Sequence, residues 1–150
     1  HWIVGCTMFI NLKKFENKKL FDENFFLFFE EFDLCRRVLK KGGKIYASNK
    51  LYVKHLGHKG SAAVDPKYEK ESNFLRSWHW MWSSFYYYEK NFSYFYALKC
   101  MYGKFFRSII KMIFYRVFYN SIKFKMYHGR VSGIWNRLIG RKSWYRLKIY

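Results

Sequence analysis

Proline is almost missing from this chain. Pro66 is the only one in 150 residues, and with just 9 glycines this excludes a collagen-like or low-complexity protein. Acids are scarce too: 10 Asp and Glu stand against 29 Lys and Arg, giving a formal charge of +19. Cysteine is sparse and scattered. Cys6, Cys35 and Cys100 are odd in number, and no CxxC or Cys/His pair has zinc-site spacing, which argues against a disulfide framework and a structural zinc. A reducing, cytoplasmic setting fits that usage. Long apolar runs are also lacking. The longest mostly apolar stretch free of formal charge, Ser77 to Tyr88, falls short of the about 20 residues that a bilayer span needs. The chain opens on His1 and runs straight into apolar residues, with no basic leader of a signal peptide, so it reads as the interior of a longer protein.

The chain is 51% hydrophobic, too apolar for a disordered polypeptide and long enough to bury a core. A quarter of it (25%) is aromatic. Charge divides the sequence. Glu16, Asp22, Glu23, Glu30, Glu31 and Asp33 cluster early, whereas no acid follows Glu89 and Lys and Arg continue to Lys148. Asp65-Pro66 makes a natural joint, because a residue before proline is pushed out of the helical region. Two parts are therefore expected, 1–64 and 65–150.

Trp2 to Ile10 reads as a buried strand, and residues 13–24 as a helical turn and loop. From Glu31 to Lys41, Phe32, Cys35, Val38 and Leu39 lie on one helical face, and Gly42-Gly43 ends the helix. Lys44 to Ala47 and Leu51 to His55 read as short strands around a Ser48-Asn49 turn, followed by a glycine-containing loop, Gly57 to Ala63. The remainder predicts three helices, about 67–89, 93–125 and 130–139.

Three carboxylates, Glu30, Glu31 and Asp33, open the first helix. A helix N-terminus favours an ionised carboxylate, which suits a general base; equally, acids in a first turn are ordinary capping groups, and Asp33 with Arg37 at i, i+4 is a common ion pair. His55 closes a predicted strand, where a histidine beside carboxylates either ligates a divalent metal or is simply hydrogen-bonded.

Residues 2–61 resemble the C-terminal half of the catalytic domain of bacterial family-2 glycosyltransferases, the rhamnosyltransferase-like members in particular. The W-x-x-G-[AC]-x-[ML] strand of that family is matched by Trp2, Gly5, Cys6 and Met8. Its F-D-E-x-F-F-x-[YF]-x-E-D-x-D-L-x-x-R motif and later glycine are matched from Phe21 through Arg37 to Gly42, and its strand-His-Gly/Ser loop by Val53, His55, Gly57 and Ser61. The tail resembles the helical extension of such enzymes more loosely, through Arg130, Gly133 and Ser143-Trp144-Tyr145-Arg146.

The resemblance implies an α/β fold, the C-terminal part of a GT-A nucleotide-diphospho-sugar transferase, with a mainly helical extension. It implies inverting sugar transfer to a glycan or lipid-linked acceptor in cell-surface polysaccharide synthesis. The general base falls on Glu31, where the family has Asp, with Glu30 as the alternative. His55 falls on the family's metal-diphosphate histidine, serving Mn²⁺ or Mg²⁺ together with an upstream DxD motif that these residues lack; the fragment alone is then expected to be inactive. Trp2, Gly5, Cys6, Asp22, Glu23, Phe25, His58 and Ser61 become substrate-binding positions, and Asp33 and Arg37 orient the helix.

In the basic tail, Tyr102, Phe106, Ile109, Ile110, Ile113, Val117 and Phe124 fall on one stripe at about 100° per residue, with Lys104, Arg107 and Lys111 opposite. Two readings follow: an interfacial helix on the inner face of an anionic membrane, with Lys104, Phe106, Arg107, Lys111 and Ile113 as its contacts, or a helix packed on its own domain. A non-catalytic basic module for membrane or nucleic acid is the alternative to an enzyme, nucleic acid being the weaker partner.

Overall fold

The computed structural model describes residue 5 and residues 7–15, 20–50, 52–54 and 66–146. Among them are four α-helices: α1 (Glu30–Lys40), α2 (Glu69–Asn91), α3 (Tyr94–Val117) and α4 (Ser121–Leu138). Short 3-10 turns at Leu12–Lys14 and Pro66–Tyr68 complete the regular structure.

The expected α/β architecture, a C-terminal part of a GT-A fold, is overturned: the described residues form helices and no strand. Met8–Ile10, Lys44–Ala47 and Tyr52–Lys54, all expected in strands, are irregular. The physical reason lies in their surroundings. Tyr46, Tyr52 and Val53 are exposed, so no apolar face is buried to hold them, and a strand pair without a packed face is marginal in water. The remainder of these strands (residues 1–4, 6, 51 and 55) and the 57–63 loop lie outside the described residues, as does Asp65 at the expected joint.

The core is a bundle of α2, α3 and α4. Met81, Phe85, Ala97, Met101 and Ile134 make its centre. The α2–α4 approach is set by glycine. A Cβ on Gly133 would stand 2.2 Å from the Trp78 carbonyl oxygen, and one on Gly129 2.5 Å from that of Phe74. The two glycines, four residues apart, share one face of α4 and let its backbone lie directly on α2. Glu89 and Arg137 pair across the same seam at 2.5 Å.

The helix boundaries move where local chemistry dictates. Ser93 caps α3 by accepting from the Tyr96 N–H, and Asn120 caps α4 by accepting from the Lys123 N–H. The expected single helix over 93–125 is therefore broken after Val117, with Tyr119 at φ 54° in the turn, and Phe124 belongs to α4. The segment 141–146 crosses back over α2: Trp82 Nε1 donates to the Arg141 carbonyl (2.9 Å) and His79 Nε2 to that of Tyr145 (2.8 Å). Trp144 Nε1 donates to Asn136 Oδ1 at 3.1 Å, tying the same segment to α4.

Candidate active site at the start of the first helix

The segment before α1 is anchored on α2 by aromatic rings. Phe29 is buried against Phe32, Trp80 and Tyr87, with ring centroids 5.1 to 5.5 Å apart. Phe28 packs edge-on to Trp80. Ser83 Oγ fixes the backbone by donating to the Leu27 carbonyl at 2.9 Å. Held this way, Phe28 and Phe29 adopt φ 67° and 72°, a left-handed conformation that costs a side-chain-bearing residue about 1–3 kcal/mol and persists only under such constraint. The strained pair turns the chain sharply into Glu30 and Glu31.

No side chain caps α1, and its first turn carries Glu30, Glu31 and Asp33. Glu30 and Glu31 are half-buried, and each has one buried carboxylate oxygen, Oε2, with no hydrogen-bond partner among the described residues. Burial pushes the Glu31 carboxyl above its ordinary value; its own backbone N–H opposes this, and the neighbouring Glu30 charge adds to it. Gly5 stands over this side chain: a Cβ there would lie 3.6 Å from Glu31 Cβ. A carboxylate with a free buried oxygen and a raised pKa is equipped to take up a proton.

Asp33 has a different task. Its side chain is wholly buried and accepts from Arg37 Nε (2.8 Å), Lys90 Nζ (2.8 Å) and Asn91 Nδ2 (3.2 Å). The Arg37 guanidinium also donates to the Leu20 carbonyl. Asp33 and Arg37 thus make the i, i+4 pair that their spacing predicts, and together they clamp α1 to the end of α2. Asp22 joins this network through Lys90 Nζ (2.8 Å), the Tyr86 hydroxyl (2.9 Å) and Asn24. Burial works to raise the Asp22 carboxyl, but the donors Lys90, Asn24 and Tyr86 outweigh it and hold its pKa at about 2.

A polar cavity of about 340 Å³ opens between Phe21, Asp22, Glu23, Asn24, Arg37 and Lys90. Glu30 and Glu31 are not among its described lining residues, so the structure divides the expected site residues into two groups. Phe25 faces neither; it is buried against the Tyr86 ring at 4.9 Å. Trp2, Cys6, His55, His58 and Ser61 lie outside the described residues. Lys90, Tyr86 and Asn91 were missed by sequence reasoning, because nothing local marks contacts made across 57 to 68 residues.

Among the described residues no group of three or more His, Cys, Asp or Glu could hold a metal ion. The described residues therefore do not by themselves fit the Mn²⁺ or Mg²⁺ that the resemblance implies; such a site would depend on His55 and further ligands outside them.

In the tail, Lys104, Phe106, Arg107, Lys111 and Ile113 are all exposed on α3. On the side of α3 turned away from Phe106 and Ile110, Ala97, Met101 and Ser108 are buried in the bundle, and Lys104 and Lys111 lie over the Tyr88 ring of α2 and the Tyr127 ring of α4. Among the described residues no helix is long and apolar enough to cross a membrane. No family model, no curated protein and no solved structure matches this chain.

Proposed function

We propose that the chain contributes the acceptor-activating base of an inverting sugar transferase, with Glu31 in that role. The observation that carries this reading is the carboxylate pair at the start of α1, each with an unpartnered buried oxygen, held by strained aromatic backbone inside the Phe21 to Gly42 match. In the proposed reaction the Glu31 carboxylate takes the proton of an acceptor hydroxyl. The hydroxyl oxygen bonds to the anomeric carbon of a nucleotide-diphospho-sugar, the bond to the diphosphate breaks, and the nucleoside diphosphate leaves with the electron pair. The anomeric configuration inverts. The acceptor is a glycan or lipid-linked sugar of cell-surface polysaccharide synthesis, used at the inner face of the cytoplasmic membrane.

Glu reaches one methylene further than the Asp of the family, and the turn at Phe28-Phe29 leads the chain directly into the carboxylate pair. Asp33 and Arg37 hold the helix that presents the base, and Asp22 and Glu23 line a separate cavity with Arg37 and Lys90. The test is made in the natural polypeptide that carries this sequence. Glu31→Gln is expected to lower turnover about 10²- to 10⁴-fold, with donor binding little changed. The acid limb of the wild-type rate profile should lie above the ordinary Glu value of 4.5, because burial raises this carboxyl. Full activity in Glu31→Gln with an inactive Glu30→Gln moves the role to Glu30; full activity in both overturns the proposal.

A further inference from the structure

Helices α3 and α4 carry nine Lys and Arg and not one Asp or Glu. Among the described residues only Arg137 of these nine is ion-paired, to Glu89 of α2. Some of the others are gathered rather than spread. Lys104, Arg107 and Lys111 recur at i, i+3 and i+7, which places them on one side of α3, and all three are exposed. Lys111 Nζ stands 5.4 Å from the centre of the Tyr127 ring of α4, and the Arg130 guanidinium stands 5.0 Å from the same centre. Two helices thus bring their cations to one ring. Lys104 is held in the same way, 5.7 Å from the centre of the Tyr88 ring.

Left to itself this grouping is unfavourable. Like charges three and four residues apart on a helix repel, and Arg130 adds another charge from the neighbouring helix. The faces of Tyr88 and Tyr127 attract the cations but carry no charge that would neutralise them. The carboxylates of Asp22, Asp33 and Glu89 are committed elsewhere, to Lys90, Arg37 and Arg137. A cluster of one sign raises the local concentration of anions. The residue types narrow which anion: guanidinium and ammonium groups are the donors that phosphate oxygens take, the first as a planar fork and the second as a point charge. From Lys104 to Lys111 the row covers about 10 Å of helix, which suits several phosphates in line rather than one. Tyr127, the ring at the centre of the cluster, is buried and not open for a base to stack on, which favours a bare phosphate chain over a single-stranded nucleic acid.

We propose that Lys104, Arg107, Lys111 and Arg130 form a binding site for a chain of phosphate groups, a diphosphate or longer. The site uses none of the residues of the sugar-transfer reading, and either can fail alone.

The test is calorimetric titration of the protein with inorganic tripolyphosphate. Saturable binding is expected, and it should weaken as salt rises, because attraction between exposed charges is screened over about 8 Å at physiological ionic strength. Arg107→Gln, Lys111→Gln and Arg130→Gln together should weaken it about 100-fold, near fivefold for each cation. Lys13→Gln, Lys40→Gln and Lys41→Gln together remove as much charge from exposed positions elsewhere and should change it less than about twofold. Arg130 is half-buried, so Arg107→Gln with Lys111→Gln serves as a second variant; it should melt with the wild type and bind about 25-fold more weakly. Vesicles of phosphatidylcholine with phosphatidic acid separate the sources. Vesicle binding that tripolyphosphate displaces supports the site and assigns its phosphates to lipid headgroups; tripolyphosphate binding without vesicle binding supports it and assigns them to a soluble chain. Failure to bind tripolyphosphate overturns the proposal. So does equal weakening by the two triple variants, which would leave only the overall charge of +19, or a single-stranded oligonucleotide that binds and that tripolyphosphate does not displace.

Discussion

Replacing Gly133 by alanine adds one methyl group at the tightest approach of α4 to α2. The new Cβ would stand 2.2 Å from the Trp78 carbonyl oxygen and 3.0 Å from its carbonyl carbon. Both are backbone atoms, so no side chain can swing away. Relief requires the helices to part locally by about 1 Å, which loosens a close-packed seam. That movement also stretches the Trp78 Nε1 to Ser132 Oγ hydrogen bond (3.2 Å) and the Glu89–Arg137 pair on the same seam. Overpacking of this kind costs about 1–3 kcal/mol, while alanine in a helix returns about 1 kcal/mol of propensity. Gly133→Ala should therefore be destabilising by up to about 2 kcal/mol. Gly103 in α3 is the control: a Cβ there meets nothing within 4 Å, so Gly103→Ala should stabilise by about 0.5–1 kcal/mol. Urea titrations followed by helical circular dichroism and tryptophan fluorescence would resolve the two directions. If Gly133→Ala stabilises the protein as Gly103→Ala does, α2 and α4 do not approach through glycine and the packing described for the core is refuted.

Asp33→Ala should cost about 2–3 kcal/mol in the same titrations, below the loss of a fully buried pair because Lys90 and Arg37 can turn to water; an unchanged midpoint would deny Asp33 its clamping role. His79 is buried with its pKa held down to about 4 by burial, against the Tyr145 carbonyl that opposes it and with the Arg146 charge adding to it. The unfolded chain therefore binds its proton first, and stability complete above pH 6.5 should fall as pH drops toward 4, a loss absent from His79→Gln. Asp22 adds a second loss as pH falls from 3.8 through about 2, and Asp22→Asn should remove it. Glu31 has the opposite sign: its raised pKa favours the protonated fold, so stability is lost as pH rises through the folded value, and Glu31→Gln should melt higher than wild type at neutral pH but not at pH 3 or so. A Glu31→Gln protein that is less stable at neutral pH would make the carboxylate structural.

The α1 helix was legible in the sequence because every local signal agrees: acids in the first turn, cations in the last and Gly42 at φ 74° beyond it. The tail was legible as helical for the same reason, although its break was not. Asn120 is a good cap, but the apolar period runs through it without a change of phase, so the turn at Tyr119 is invisible to a periodicity count. The strands failed because β-rich composition says nothing about a partner, and Lys44–Ala47 and Tyr52–Lys54 find none among the described residues. The inner face of α3 was harder to read, because its buried Ala97, Met101 and Ser108 are smaller or less apolar than the exposed Phe106, Ile110 and Ile113. In the candidate site, the carboxylates could be named from sequence, but Lys90 and Asn91, which reach Asp33, could not, since they are set by how α2 lies on the segment before α1.

The segment that crosses α2 after α4 is gripped in part by its peptide groups. Trp82 reads the Arg141 carbonyl and His79 that of Tyr145, atoms that every amino acid possesses. Its tolerance to change should therefore be lopsided. Exchanging the exposed Lys142 for almost any residue leaves both acceptors in place, whereas deleting that one position moves every later carbonyl by a residue and pulls the Tyr145 oxygen off His79. A saturation library across 141–146 would be expected to accept many substitutions at Lys142 and reject single-residue deletions there, while His79 and Trp82 on the helix beneath accept neither.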